Sequence, residues 1–318
     1  MSKFNEDRKL FINYLKLSRP KDDLYKTVSK KKPFSQEYSI KVPYSLYMRS
    51  APSVVGTAFD YLARFMIART IKINKDHALL NLRAENGIDF FNEDFQDEIY
   101  DKFEICIDQI EHYINGSNEI NLVEVTKICC FLARLEHASR TNWVPNEETL
   151  KLLKKEDSEI LKEVNSMGVV FYDDFIAKGM VKEDSVVVFN PSFGICSKKL
   201  KGADGDIFID GVLWDFKTTK LSIKKNNDFI QMWQYLVYDR ACKMYNDSTY
   251  SLAKHEIKAL AFYKARFGEI EYIKVRDINA KQLYAVSRTI VEMIPSINQN
   301  LTIDEALNKT KRVKIFNK

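Results

Sequence analysis

No two of the five cysteines stand in CxxC spacing, and the four histidines are scattered singly. That excludes a zinc ribbon or a cysteine-ligated cluster as the organising element, because both need thiolates or imidazoles at short fixed intervals. The odd thiol count and irregular spacing fit reduced cysteines in a cytoplasm. No serine or cysteine forms a demonstrable constellation with a histidine, which disfavours nucleophilic catalysis. The chain lacks both a GxxxxGK-S/T loop and a GxGxxG fingerprint. A self-contained ATPase or a dinucleotide enzyme is therefore not expected. There is no internal repeat and no long low-complexity tract. The first residues, MSKFNEDRKLFINYLKLSRP, are charged throughout and have no signal-type apolar centre. The most apolar long stretch, Val54 to Ile71, is interrupted by Asp60, Arg64 and Arg69 and reads as a soluble helix rather than a membrane span. The expectation is a cytoplasmic protein with no membrane contact.

What remains is an ordinary globular balance, with 45% hydrophobic and 29% charged residues over 318 positions, enough for one large domain or two small ones. A net charge of +5 permits nucleic-acid binding without arguing for it. The first half reads as helical. Leu10, Phe11, Tyr14 and Leu15 make an amphipathic stripe, SKKKPFSQ (29–36) is a basic loop, and RSAPS before Val54 carries helix-start signals. Helical spacing recurs near 94–114, 122–139 and 147–165. The second half changes character. SVVVF (185–189) predicts a strand, 205–209 and 212–217 two more, and FIQMWQYLVYDRAC (229–242) a helix. IKALAFYKA (257–265) and IEYIKV (270–275) predict a strand pair turning at Phe267-Gly268, and 279–298 a closing helix up to about Pro295. This order indicates an α/β fold, a small mixed central sheet flanked by helices with a largely helical N-terminal lobe. The boundaries read as an N-terminal helical segment (1–50), a first core helix (51–72), a helical insertion lobe (73–180), the sheet-bearing core (181–300) and a C-terminal tail (301–318).

The stretch GADGDIFIDGVLWDFKTTK (202–220) keeps four aspartates inside an apolar run. Asp210-Gly211 between alternating apolar segments is a strong hairpin signal. A two-residue turn there sets Asp206 opposite Asp215 and Asp204 opposite Lys217. Side chains alternate along a strand, so all four share a face, with opposed Cβ atoms ~5 Å apart. Two carboxylates that close repel unless a cation lies between them or one keeps its proton. Mg²⁺ suits such a pair of hard oxygen donors, and a lysine beside it can orient a water or offset charge in a phosphoryl transition state. The competing interpretation is a solvent-side salt-bridge face. Apolar residues on both faces of the flanking runs argue instead for a covered sheet. On the following helix Gln231, Gln234, Tyr235 and Tyr238 fall within an arc of roughly 100°, with Phe229, Met232, Trp233, Leu236 and Val237 on the core side. That stripe is either a wetted face or a set of contacts to phosphate and water.

These residues resemble the PD-(D/E)XK nuclease superfamily, in particular its RecB-like branch. The matching pieces are GADGDIFI, LWDFKTTK and QMWQY, the last in the Q-x-x-x-Y form; QYLVY has the same form, so Gln231/Tyr235 and Gln234/Tyr238 compete for it. VVGTAFDYLARF resembles the first RecB-like motif, with Gly56 and, where many relatives have His, Asp60. The resemblance covers about 190–280 well and 52–70 loosely. It implies a restriction-endonuclease-like core of α-β-β-β-α-β order and Mg²⁺- or Mn²⁺-dependent hydrolysis of DNA phosphodiester bonds. Iron–sulfur relatives use a spaced cysteine set that this chain lacks, so no iron–sulfur cluster is expected. By resemblance Asp206 and Asp215 are metal ligands with the Phe216 carbonyl, Asp60 completes the shell, and Asp204 competes with Asp206. Lys217 acts on the attacking water, and Gln231 and Tyr235 position the strand or the site. The alternative is a catalytically silent nuclease-like domain that binds nucleic acid or a protein partner.

Lys198, Lys199, Lys201, Lys220, Lys224 and Lys225 bracket the acidic centre, as suits a phosphate backbone passing over a metal, or simply form a solvated surface. DNA is the expected partner, with proteins of a DNA-processing or defence system as further candidates. Arg266 either points to the same edge or makes a structural ion pair. Glu136 and His137, in RLEHASR, read as structural, with Glu136 paired to Arg140 one turn on. NPSFG (190–194) is a turn with no assigned chemistry.

Overall fold

The computed structural model describes residues 12–45, 51–73, 75–79, 82–141, 158–200, 205–223 and 226–298. A short helix α1 (12–18) precedes the two-residue strand β1 (Lys26–Thr27). Then come α2 (Ala51–Ile71), α3 (Lys75–Leu79), α4 (Glu93–Ile114), α5 (Leu122–Thr141) and α6 (Ser158–Phe171). The second half contains β2 (Val187–Phe189), α7 (Gly194–Leu200), β3 (Ile207–Ile209), β4 (Val212–Lys217), α8 (Asn226–Met244), β5 (Ala259–Lys264), β6 (Glu269–Lys274) and α9 (Ala280–Asn298).

The strands form one six-stranded sheet in the order β1-β6-β5-β4-β3-β2. β4 and β5 are parallel, and every other pair is antiparallel. A parallel neighbour needs a crossover, and α8 supplies it. The β3–β4 hairpin has the expected register, with Ile207 opposite Trp214, Phe208 opposite Leu213 and Ile209 opposite Val212. Asp210 (φ 48°) and Gly211 (φ 92°) both take the left-handed backbone that a type I′ turn demands. A Cβ on Gly211 would also lie 3.1 Å from the Lys258 side chain. Asp210 further anchors the tip by accepting the Val186 N–H at 2.8 Å.

Alternation along the strands divides the apolar side chains between two layers. Ile207, Ile209, Trp214, Phe216 and Tyr263 pack with α2, α4, α5 and α6, whereas Phe208, Leu213, Leu260, Phe262 and Ile273 pack with α1, α7, α8 and α9. The first face is an aromatic interlock: Phe59 and Phe216 both meet Phe171, at 5.7 and 5.6 Å, and Phe175 meets Trp214 at 4.8 Å. Such edge-to-face pairs are worth about 0.5–1.5 kcal/mol each beyond the area they bury. α2 is apolar around most of its circumference because it lies between the sheet and α5, so it is buried on two sides.

Three details depart from the sequence expectation. α7 and β1 were not anticipated; each is too short to carry a periodicity. The Gln/Tyr stripe of α8 is not a wetted face, because Tyr235 and Tyr238 are buried and Tyr235 stacks on Phe193 at 5.1 Å. α9 continues past Pro295 to Asn298. A proline this close to a helix end forfeits only one internal hydrogen bond, to a carbonyl of the final turns. Residues 301–318, read as a tail, lie outside the described residues.

The loop between β1 and α2 is tied down where it matters for the site. The Tyr38 hydroxyl and the Phe34 N–H donate to buried Glu271 at 2.6 and 2.7 Å, and Lys264 pairs with the same carboxylate at 3.1 Å. Lys264 also donates to the Ser222 carbonyl, and the Ser222 hydroxyl donates to the Ser35 carbonyl at 2.5 Å. The segment leaving β4 is thus held from both sides.

Candidate active site

Continuing the hairpin register one step outward from Ile207 and Trp214 opposes Asp206 to Asp215. Asp206 Oδ2 accepts the Phe216 backbone N–H at 2.8 Å, which fixes its carboxylate against β4. Asp215 is 2% exposed. The Lys217 ammonium lies 2.7 Å from Asp215 Oδ2 and 3.6 Å from Asp228 Oδ1, on the first turn of α8. Asp60 enters from α2, which passes close to the end of β4: a Cβ on Gly56, one turn earlier, would sit 3.5 Å from Thr218 Oγ1.

The four charges interact through a poorly solvated medium. Burial raises the pKa of Asp60, Asp206 and Asp215, and Asp206 adds repulsion on both Asp60 and Asp215. Lys217 pulls all three back down, but incompletely: Asp215 remains pushed up to about 8. For Lys217 the balance is opposite. Burial works against its charge, yet Asp215, Asp228 and Asp206 together hold it protonated, above the ordinary lysine value. One ammonium is shared among several carboxylates, so it is well compensated and they are not.

A divalent cation would fit this deficit. Asp60 Oδ1 is buried without a hydrogen-bond partner, and Asp215 Oδ2 meets only the Lys217 ammonium, at 2.7 Å. Buried anionic oxygens lacking donors are costly, and they are the hard ligands that Mg²⁺ and Mn²⁺ take. Among the described residues no three His, Cys, Asp or Glu side chains stand close enough to cage an ion unaided. An ion here would be held as Mg²⁺ commonly is, by one or two carboxylates with water and phosphate oxygens.

On α8, Gln231 donates to the Tyr235 hydroxyl at 2.6 Å and Gln234 to the Tyr238 hydroxyl at 2.9 Å, so the two competing pairs are built alike. Their direction separates them. Gln231 and Tyr235 lie within roughly 60° of Asp228 around the helix axis, and Gln234 and Tyr238 roughly 80–120° away. The first pair therefore shares the side that reaches Lys217.

The other sequence candidates sort as follows. Lys220 is exposed, with its ammonium 5.3 Å from the Tyr44 ring centre. Asp204, Lys201, Lys224 and Lys225 lie outside the described residues, as does the side chain of Lys199. Arg266 makes a structural ion pair with Glu163 at 2.5 Å, both side chains 2% exposed, and its Nε holds the Thr218 carbonyl at 2.6 Å. Glu136 does pair with Arg140, and it also accepts the Tyr61 hydroxyl.

Two features were missed. Asp228 sits just before the quoted helix motif and gave no signal of its own. A cavity of about 140 Å³ is lined by Asp60 and Asp206 together with Tyr61, Arg64, Glu136 and Arg140. Spacing carried part of that information: Arg64 is one turn beyond Asp60, and Arg140 one turn beyond Glu136, so each pair shares a helix face. Asn190, from the turn without assigned chemistry, lines the same cavity.

No family model, no curated protein and no solved structure matches the chain. Among the described residues no helix is long and apolar enough to cross a membrane, and all five cysteines are free.

Proposed function

We propose that the chain is a divalent-metal-dependent nuclease that hydrolyses DNA phosphodiester bonds. One observation carries this: a type I′ hairpin sets Asp206 against the buried Asp215, with the half-buried Lys217 ammonium 2.7 Å from Asp215, at a sheet end that Asp60 also reaches. A surface salt-bridge face would not bury its carboxylates this deeply. The element order α2, β2, β3, β4, α8, β5 supports reading a restriction-endonuclease-like core.

A bound Mg²⁺ or Mn²⁺ would supply a water of lowered pKa and polarise a phosphoryl oxygen. Asp206 and Asp215 are the residues that would hold it, together with water and phosphate oxygens; Asp60 and the Phe216 carbonyl are the further ligands that the resemblance implies. Lys217 is kept protonated by three carboxylates, so it acts as a hydrogen-bond donor and a fixed positive charge rather than as a general base. It orients the attacking water and offsets charge developing on the phosphoryl group. Asp228, on the other side of the ammonium, is a positioning residue that keeps the charge in place. Gln231, held by the buried Tyr235 hydroxyl, presents its amide on the same side. Lys220 would meet the phosphate backbone.

The test is direct. Purified protein should nick or degrade DNA in the presence of Mg²⁺ or Mn²⁺, and Lys217→Ala should lower the rate by about 10²–10⁴-fold with the fold intact by circular dichroism. Undiminished hydrolysis in that variant rejects the assigned site. A side-by-side RNA substrate decides between nucleic acids.

A second reading has its own support. The Lys217–Asp215 ion pair already compensates part of the negative charge without a metal, as a catalytically silent nuclease-like domain binding nucleic acid or a protein would need. Calorimetric titration discriminates: no divalent binding at millimolar concentration with DNA binding retained favours the silent domain.

A further inference from the structure

Beside the carboxylate cluster the sheet end presents an aromatic ring to solvent. Tyr44, in the loop between β1 and α2, is 36% exposed. The buried Arg266 guanidinium lies 5.1 Å from its ring centre. The chain is fixed on either side of the ring: Arg266 donates to the Pro43 carbonyl at 3.3 Å, and the Ser45 N–H donates to Glu163 at 3.3 Å. Arg266 is itself held by Glu163 and by the Thr218 carbonyl, one residue past Lys217. The Tyr44 loop and the end of β4 are therefore tied to one guanidinium.

The segment leaving β4 completes the surface. Ser222 turns inward, its hydroxyl donating to the Ser35 carbonyl, so Leu221 and Ile223 on either side turn outward and are 47% and 42% exposed. Lys220 is exposed, with its ammonium 5.3 Å from the Tyr44 ring centre. A ring, apolar surface and a lysine thus stand together within a few residues of Lys217. That is the composition of a single-strand platform, in which the ring stacks on any base and the ammonium takes a phosphate. An exposed lysine–tyrosine contact is weak, so Lys220 can exchange the ring for a phosphate when a base arrives. A duplex keeps its base faces in its own stack and has none to offer the ring. Three residues separate Lys220 from Lys217, so their Cα atoms are at most about 11 Å apart, a span of a few nucleotides along a strand.

We infer that Tyr44 stacks on one unpaired base of the substrate and that Lys220 takes a phosphate beside it, which makes the substrate class single-stranded DNA or the frayed end of a duplex. The inference rests on the nuclease reading and narrows it.

The experiment is fluorescence anisotropy with Mg²⁺ present, using the full chain carrying Lys217→Ala so that the oligonucleotide is not cut. The probes are a single-stranded oligonucleotide, the same strand with one abasic site moved along it position by position, and the blunt duplex of that sequence. Tyr44→Ala should weaken the single strand about tenfold and leave the duplex unchanged. Tyr44→Trp should retain single-strand affinity, because it keeps a stacking face. Tyr44→Leu keeps apolar bulk over Arg266 without a ring and should behave as Tyr44→Ala, with a melting temperature close to that of the parent. One abasic position should weaken the protein that has Tyr44 by a similar factor and have no effect in Tyr44→Leu. Equal weakening of single strand and duplex, or an abasic profile that is the same with and without the ring, overturns the inference. If the chain with Lys217 intact still hydrolyses DNA, the nuclease reading survives that result. Tyrosine-dependent single-strand binding by a chain that never hydrolyses DNA would sink the nuclease reading and keep the platform. No binding of any probe would overturn the platform.

Discussion

Raising the pH of the metal-free protein from about 5.5 to about 7 should weaken it, and Asp215 sets the scale of the loss. The ordinary aspartate value is 3.8, and burial pushes Asp215 up to about 8 in the folded chain. Between those values the folded state keeps a proton that the unfolded chain has lost. More protons bound to the folded state means that unfolding free energy falls as pH rises, and the loss is complete once pH passes the folded value. Each pH unit in that window costs ~1.36 kcal/mol per retained proton, so 1.5 units cost about 2 kcal/mol from Asp215 alone. Asp60 and Asp206 are raised for the same reason and act in the same direction. Asp174 and Asp247 have lowered values, so their opposing contribution is confined to more acid solution. The assay is urea unfolding in EDTA at the two pH values, for wild type and Asp215→Asn. The variant cannot hold that proton, so its pH slope should be flatter by about 2 kcal/mol over the interval. Saturating Mg²⁺ should flatten the wild type too, because binding to carboxylates displaces the retained protons. Parallel slopes for the two proteins would refute a buried, proton-holding Asp215.

Further consequences concern the residues around the cluster. Asp228→Asn should slow hydrolysis by about tenfold, because the carboxylate 3.6 Å from the Lys217 ammonium that helps to fix its position is lost. An unchanged rate in that variant would reduce Asp228 to a packing role. Arg266→Leu leaves Glu163 buried and uncompensated, with Glu163 Oε2 already lacking a hydrogen bond. Denaturant unfolding should show a loss of about 3–5 kcal/mol, mostly recovered when Glu163→Leu is added. A loss under about 1 kcal/mol would mean that the pair is hydrated in solution.

The hairpin was legible because its information is local. Asp210 and Gly211 specify a two-residue turn with positive φ, and that turn alone sets Asp206 against Asp215. The strand pair around Phe267 and the helices at Glu93–Ile114 and Leu122–Thr141 were legible for the same reason, each carrying its own period. What escaped is what tertiary packing decides. Tyr235 and Tyr238 look polar on a helical wheel, yet both faces of α8 are covered, and each hydroxyl is satisfied by a glutamine one turn away. Asp228 matters only because α8 begins beside Lys217. Arg64, Arg83 and Arg140 are far apart in the chain, and only the packing of the helical layer against the sheet end brings them to one cavity.

Anomalous scattering from a crystal of the full chain soaked in Mn²⁺ tests the central claim most directly. The account predicts a manganese peak within coordinating distance of the Asp206 and Asp215 carboxylates, with the Lys217 ammonium drawn away from Asp215 Oδ2. No peak at saturating Mn²⁺, with Lys217 still on Asp215, would contradict it.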